Sequence, residues 1–276
     1  MAAERGTKRK RGGGGSSRRK PLTPFKLPKG VTLVAGPVPA LHRVTKTVTH
    51  YVSGLLDDLR ARFWPNYQRP RGTGYGASSI ERGKFVEAEI AAWLADPDGI
   101  ASDPLSIAFL DWVTEADLVF AGAQVPIYDS LTHRWTPADF VFRERASGDY
   151  VIVELKTGYA EGIDEPCAAE PTLQLPLEKI ASTARNHALL QLGWAVVVTR
   201  DLLKRRPETV RGVLVIINQP ALDRVAAGES RSAVFTTELE PSMLSAAQRA
   251  RLSLLKQSRW LLPGARTFAM RSRTTP

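Results

Sequence analysis

Two stretches decide the fold, Thr136-Pro-Ala-Asp-Phe-Val-Phe142 and Tyr150-Val-Ile-Val-Glu-Leu-Lys-Thr157. Their apolar residues and the turn-forming residues between them predict two strands joined by a short turn. Three ionisable side chains interrupt this pattern, at Asp139, Glu154 and Lys156. Because charges are costly in a half-buried hairpin, these three residues predict a functional site.

The register of this hairpin predicts that its two carboxylates face each other. A hairpin that is symmetric about its turn pairs Arg143 with Tyr150. The same register pairs Asp139 with Glu154, and directly opposed residues have Cβ atoms about 4.5–5.5 Å apart. Two carboxylates at this distance repel, whereas a divalent cation between them would turn the repulsion into binding. Lys156 shares a face with Glu154 because the two are two positions apart along the strand, with only Leu155 between them.

Two predicted helices each place a polar side chain on their apolar side. The first covers residues 78–94, opens with a capping box, and carries Glu87 inside its apolar arc with the small Gly83 one turn earlier. A carboxylate there needs a partner or a metal; the alternative is a rotated helix with Glu87 at its edge. The second helix covers residues 177–192 and carries Gln191, for which the alternative is a buried amide satisfied by the backbone.

The remaining pattern predicts further elements of an α/β chain. The other predicted helices cover residues 46–62, 104–118 and 241–257. The other predicted strands cover residues 31–35, 124–128, 194–199 and 210–218. Residues 157–176 form an acidic loop whose length indicates a lid.

The loop of residues 63–76 alternates arginines, aromatic residues and glycines. Arginines bind phosphates and aromatic rings stack on bases, so this composition suits a strand of nucleic acid. The alternative is a loop whose rings pack on the body of the protein. The predicted DNA contacts are Arg69, Arg71, Tyr75 and, at the start of the following helix, Ser78.

The net charge of +10 over 276 residues is concentrated at the start of the chain. Residues 1–20 hold eight Lys or Arg and one Glu, so the remainder is only mildly basic. Residues 1–30 are predicted to be a disordered basic tail that binds an import receptor or nucleic acid. The alternative is a tail that only solubilises the chain.

The rest of the composition excludes several classes of protein. No apolar run approaches the roughly 18 residues of a membrane span, and no signal-peptide core is present, so we expect neither a membrane protein nor a secreted one. The single Cys167 excludes a disulfide framework and a four-cysteine cluster.

The order of these elements and their motifs resembles the PD-(D/E)xK nuclease superfamily, and within it the RecB-like and lambda-exonuclease-like branch. The matching motifs are Gly83-x-x-x-Glu87, Pro137-Ala-Asp139, Glu154-Leu-Lys156 with the following Thr157-Gly158, and Gln191 with Trp194. The chain departs from the family pattern by one residue inserted between Pro137 and Asp139, and by Trp194 in place of the usual tyrosine.

The resemblance implies an α/β fold with a restriction-endonuclease-like core of order αβββαβ. A mixed central sheet would be flanked by helices, with extra N- and C-terminal helices. The nuclease domain would cover residues 31–276, with its core at about 80–218. The resemblance also implies Mg²⁺ or Mn²⁺ held by Glu87, Asp139, Glu154 and the carbonyl of Leu155. Lys156 and Gln191 would act on the attacking water or the phosphate.

The implied activity is hydrolysis of DNA phosphodiesters, by exonuclease action in recombination, repair or replication. The alternatives are a structure- or sequence-specific endonuclease of the same fold and a relative that binds nucleic acid without cutting it. The predicted partner is DNA, and a homo-oligomer is compatible with the pattern. The basic tail predicts a nuclear location, in a eukaryotic cell or a virus-infected one, with the cytoplasm as the alternative.

Overall fold

The computed structural model describes residues 31–33, 50–67, 77–96, 98–158, 162–203 and 209–261. These residues form an α/β fold in which a mixed sheet carries helices on both faces. The predicted basic tail, residues 1–30, lies outside the described residues.

Seven strands and six helices lie within the described residues. The strands are β1 Val31–Leu33, β2 His50–Gly54, β3 Leu118–Asp129, β4 Arg134–Glu144, β5 Tyr150–Thr157, β6 Val210–Ile217 and β7 Val234–Glu238. The helices are α1 Leu55–Phe63, α2 Ala77–Ala95, α3 Pro104–Glu115, α4 Ala184–Leu202, α5 Gln219–Ala226 and α6 Pro241–Leu261.

Strands β3 to β7 form the body of the sheet. The strand order is β1-β2-β4-β5-β6-β7, with β3 paired to β4. The pairs β3/β4, β4/β5 and β6/β7 are antiparallel, whereas β5 and β6 are parallel and are connected through α4. The sheet is therefore mixed, and β5 lies at its centre, buried on both faces as expected for a strand covered by helices.

Each face of the sheet packs against its own hydrophobic core. On one face, Tyr150 and Ile152 of β5 join residues of α1, α4 and α6. On the other, Val153 and Leu155 join residues of α2 and α3. The prediction that Val153 and Leu155 point into a core is confirmed, and Glu154 between them points towards the opposite face.

The predicted hairpin is present, and its register is confirmed from Arg143 opposite Tyr150 to Phe140 opposite Val153. The ladder stops there, one pair before Asp139 and Glu154. The expectation of a direct ladder pair between these two residues is therefore wrong. Two opposed carboxylates would repel at this position, and the Asp139 carboxylate instead accepts a hydrogen bond from the backbone amide of Leu155, at 2.8 Å.

Strand β4 changes its partner along one edge. It pairs with β2 at Arg134 and Trp135, and with β5 from Phe140 to Arg143, while β3 occupies its other edge. The four residues 136–139 pair with neither β2 nor β5 in the described ladders. This opening in the sheet contains Asp139.

The prediction of one helix over residues 46–62 is wrong for residues 50–54, where the described part of this segment begins. Residues His50–Gly54 form β2, which pairs with β1 and β4, and the helix α1 begins only at Leu55. The apolar spacing of a short segment fits both periods, and pairing with β4 decides between them.

The prediction of a helix over residues 177–192 followed by a strand over 194–199 is also wrong. A single helix, α4, begins at Ala184, where the Thr183 side chain caps it by accepting from the amide of Asn186. Its valine-rich second half is buried between the sheet and α6, so packing overrides the strand preference of β-branched residues.

The other predictions of elements agree with the structure to within a few residues, except that β3 is longer than predicted. Helix α2 begins at Ala77, so Ser78 lies inside the helix and is not its N-cap. Strand β7 and helix α5 have no counterpart in the sequence prediction. No helix within the described residues is long and apolar enough to cross a membrane.

A buried ion pair fixes the end of β3 to α6. Arg251 of α6 donates to both carboxylate oxygens of Asp129, at 2.7 and 2.8 Å, and to Asp201 at 2.6 Å. Arg251 and Asp129 are almost fully buried. Since Asp129 precedes the turn into β4, this contact holds the β3–β4 hairpin against α6.

Replacing Arg251 with methionine should destabilise the protein by about 3–5 kcal/mol, because the Asp129 carboxylate would remain buried without its partner. The measurement is urea unfolding at pH 7. Arg249→Met is the matched control, since Arg249 is an exposed residue of the same helix, and it should change stability by less than about 0.5 kcal/mol. Equal effects of the two variants would contradict this role of the ion pair.

Candidate active site

Four charged residues from three elements meet at the opening beside β4. Glu87 comes from α2, Asp139 from β4, and Glu154 and Lys156 from β5. These residues influence one another electrostatically, since Asp139 and Lys156 both act on Glu87 and Glu154. Four of the sequence-predicted site residues are thus brought together.

Glu87 and Asp139 share a donor that sequence reasoning missed. The side-chain nitrogen Nε2 of Gln124 lies 3.4 Å from Oε2 of Glu87 and 3.4 Å from Oδ1 of Asp139. The two carboxylate oxygens are therefore separated by no more than twice that distance. The other oxygen of Asp139 accepts from the amide of Leu155.

Glu154 is paired with Lys156. The ammonium nitrogen lies 2.6 Å from Oε1 of Glu154. The Glu154 side chain is 5% exposed, whereas that of Lys156 is 29% exposed. Lys156 therefore reaches from a buried carboxylate to the surface, where it can meet a substrate.

The surroundings of the three carboxyl groups raise their pKa values and so disfavour their ionisation. Burial, and then repulsion from Asp139, raises the pKa of Glu87 to about 7, although Lys156 and Lys84 act in the opposite direction. The same two causes raise the pKa of Glu154 to about 7 against the attraction of Lys156. Burial also raises the pKa of Asp139. The negative charge of the cluster exceeds what its lysines compensate, so added positive charge would stabilise it.

Gly83 allows α2 to lie close to the end of β5. A Cβ atom at this position would come within 3.0 Å of the Thr157 hydroxyl oxygen. The glycine in the predicted Gly83-x-x-x-Glu87 motif therefore permits the approach that places Glu87, one turn later, beside the hairpin.

Gln191 does not join the carboxylates. It is buried, as predicted, but its side-chain nitrogen donates to the hydroxyl of Thr136, at 3.0 Å. Thr136 is also buried and begins the four-residue opening in β4. The expected role of Gln191 on the attacking water or the phosphate stays a prediction; in the structure its contact with Thr136 fixes α4 to the strand that carries Asp139.

The predicted metal ligands have the oxygen atoms that a hard cation needs, but their side chains are not arranged around a common point. Carboxylate and carbonyl oxygens are the ligands that Mg²⁺ prefers. Among the described residues, however, no group of three or more His, Cys, Asp or Glu is arranged to hold a metal ion. Asp139 and Glu154 are each engaged by a protein donor, the amide of Leu155 and the ammonium of Lys156.

The predicted DNA contacts Arg69, Arg71 and Tyr75, and the side chain of Ser78, lie outside what the structure describes. The start of the same loop is described, and there the rings pack on the body. Trp64 stacks on His187 with ring centroids 4.1 Å apart, and Tyr67 meets the same ring edge-on at 4.4 Å. For these two aromatic residues the alternative of packing is confirmed.

The acidic loop before α4 is attached to its neighbours. Glu170 is buried and accepts from the amide of Asn66 and the side chain of Gln174. Asp164 pairs with Arg185 of α4. Two of the loop's acidic groups are thus engaged within the protein.

Comparison with known proteins assigns no family to the chain. No protein-family model matches it, and no curated protein matches it either. Any function must therefore be argued from the contacts of the carboxylates and Lys156.

Replacing Glu154 with glutamine should stabilise the metal-free protein by on the order of 1–3 kcal/mol at pH 8. The pKa of Glu154 is raised from 4.5 to about 7, so the native state binds more protons than the unfolded state between these pH values. The carboxylate therefore costs stability as the pH rises through about 7. Below about pH 4.5 the gain should disappear.

Urea unfolding at pH 8 and pH 4.5 in the presence of EDTA measures this difference. Glu178→Gln, at an exposed position before α4, is the matched control and should change stability little at either pH. A Glu154→Gln variant that is less stable than the wild type at pH 8 would contradict the electrostatic account.

Proposed function

We propose that the chain is a metal-dependent DNA nuclease that hydrolyses phosphodiester bonds and leaves 5′-phosphates. The observation that carries this proposal is the group of three carboxylates whose charge is under-compensated, with Lys156 bound to Glu154 at 2.6 Å. Groups whose pKa values are perturbed by burial together with a specific charged neighbour cluster at functional sites.

The arrangement of the fold supports the same proposal. The elements α2, β3, β4, β5, α4 and β6 follow the order αβββαβ when α3 is taken as an addition. Asp139 lies on the second strand of this series, Glu154 and Lys156 on the third, and Glu87 on the first helix. This is the distribution that the resemblance to the PD-(D/E)xK nucleases implies.

Mg²⁺ or Mn²⁺ would be held by Glu87, Asp139, Glu154 and the carbonyl of Leu155. When bound, such a cation polarises a phosphoryl oxygen and makes a water molecule more acidic. The Leu155 amide donates to one oxygen of the Asp139 carboxylate and Gln124 contacts the other, which keeps a second lone pair for the cation. Two protein contacts thus fix Asp139 before a substrate arrives.

Lys156 would neutralise charge that develops on the scissile phosphate. Its ammonium group carries three donors, and only part of the side chain is buried. A preorganised cation beside the phosphate stabilises the transition state more than the ground state. Glu154 orients Lys156 through their hydrogen bond, so the two residues act together.

Gln191 would contribute indirectly. Its bond to Thr136 fixes α4 to β4 three residues before Asp139. Gln191 is therefore a positioning residue in this proposal, in contrast to the direct role on water or phosphate that the sequence suggested.

The test is incubation of end-labelled linear duplex DNA and closed circular DNA with the protein and Mg²⁺ or Mn²⁺. We expect degradation of linear DNA, no degradation in EDTA, and a rate lowered about 100-fold or more by Lys156→Ala. Lys179→Ala, which removes an exposed lysine before α4, is the matched control and should retain the wild-type rate.

The two DNA forms separate the rival activities. An exonuclease degrades linear DNA and spares circles, whereas an endonuclease of the same fold nicks the circles. Metal-dependent degradation that is unaffected by Lys156→Ala would contradict the assigned site. Binding of both DNA forms without cleavage under any of these conditions would favour the non-cleaving alternative.

A further inference from the structure

Gln124 lies next to the proposed site on a strand that sequence reasoning did not connect with it. In the ladder between β3 and β4, Ala123 pairs with Phe140 and Val125 pairs with Ala138. Gln124 therefore occupies the position across from Asp139. The pairing brings an amide side chain from the edge of the sheet to the carboxylates.

The backbone of Gln124 adopts a conformation that is unusual within a strand. Its φ angle is 47°, in the left-handed region that side chains other than glycine rarely occupy. Strain of this kind persists where the surrounding structure holds it, and it clusters at functional sites. The register also shifts by one residue between Phe120 and Gly122, just before this position.

The side chain of Gln124 is suited to join two carboxylates. The residue is exposed overall, yet its Nε2 atom lies at the same distance, 3.4 Å, from an oxygen of Glu87 and from an oxygen of Asp139. An amide nitrogen carries two hydrogens, so one can be directed to each carboxylate. Glu87 and Asp139 come from different elements, and the Gln124 side chain contacts both.

We infer that Gln124 is a positioning residue that holds the Glu87 and Asp139 carboxylates together for cation binding. This inference rests on the proposed function in that the cation is the one proposed for the nuclease. Donors to ligating carboxylates fix the orientation of the ligands, and their loss typically costs about 10–100-fold in metal affinity. Gln124 donates to the carboxylates and itself need not touch the cation.

Two variants separate the amide from the backbone strain. Gln124→Met keeps the side-chain length and removes the donor, whereas Gln124→Gly removes the donor and also relieves the left-handed backbone. If the amide is responsible, both variants lose the same affinity. Asp117→Gly is the matched control, because Asp117 precedes the same strand, is exposed and has the same φ of 47°.

The experiment is a titration of the full chain with Mn²⁺ in which electron paramagnetic resonance measures the free and bound ion. Asp139→Asn serves as the reference for loss of a ligand. We expect the dissociation constant of Mn²⁺ to rise about 10–100-fold in Gln124→Met and Gln124→Gly. It should stay within twofold of the wild type in Asp117→Gly.

Unchanged Mn²⁺ affinity in both Gln124 variants, with loss in Asp139→Asn, would overturn the inference and leave the proposed nuclease intact. Mn²⁺ binding that depends on Gln124 and Asp139, without DNA cleavage by the wild type, would support the inference and overturn the proposed function. If the wild type binds no Mn²⁺, the nuclease proposal fails. Crystals of Gln124→Met then decide the positioning role: separated Glu87 and Asp139 carboxylates support it, and unchanged rotamers overturn it.

Discussion

The hydrogen bond from the Leu155 amide to the Asp139 carboxylate is the contact on which the candidate site depends. It occurs where the β4–β5 ladder ends, so a side chain takes the backbone donor that a continued ladder would use. Among the strands that the structure describes, β5 continues beyond this point beside β6, and β4 has no partner on this edge until it reaches β2. The sheet thereby provides an opening whose rim carries charged side chains, while both of its faces remain packed.

The ionised carboxylates in this opening lower the free energy of unfolding. Glu154 lies between Val153 and Leu155 in β5, and both of these flanking residues are buried. A neutral residue would fit such surroundings better, and the raised pKa values of Glu87 and Glu154 express this cost. The two hydrophobic cores and the Arg251–Asp129 ion pair stabilise the fold and offset this cost. A destabilising charge of this kind agrees with our proposal of a functional site, since functional groups often cost stability.

Local pattern was enough to predict the hairpin, its register near the turn, and the approach of Glu87. Turn residues and alternation determine these features within about twenty residues of sequence. Non-local pairing determines the rest. The valine-rich half of α4 is helical because of its packing against α6, and Gln124 faces Asp139 because β3 pairs with β4 through a register shift. Gln191 was correctly predicted to be buried, but its partner Thr136 depends on the lateral position of α4, which periodicity does not contain.

The central claim is that Asp139 and Glu154 share one cation with Glu87. Anomalous diffraction from crystals soaked in Mn²⁺ tests it directly. We predict a single strong peak in the opening beside β4, with oxygen atoms of Asp139 and Glu154 about 2.0–2.6 Å away. An anomalous peak that contacts neither carboxylate, or no peak at a Mn²⁺ concentration that supports DNA cleavage, would contradict the account.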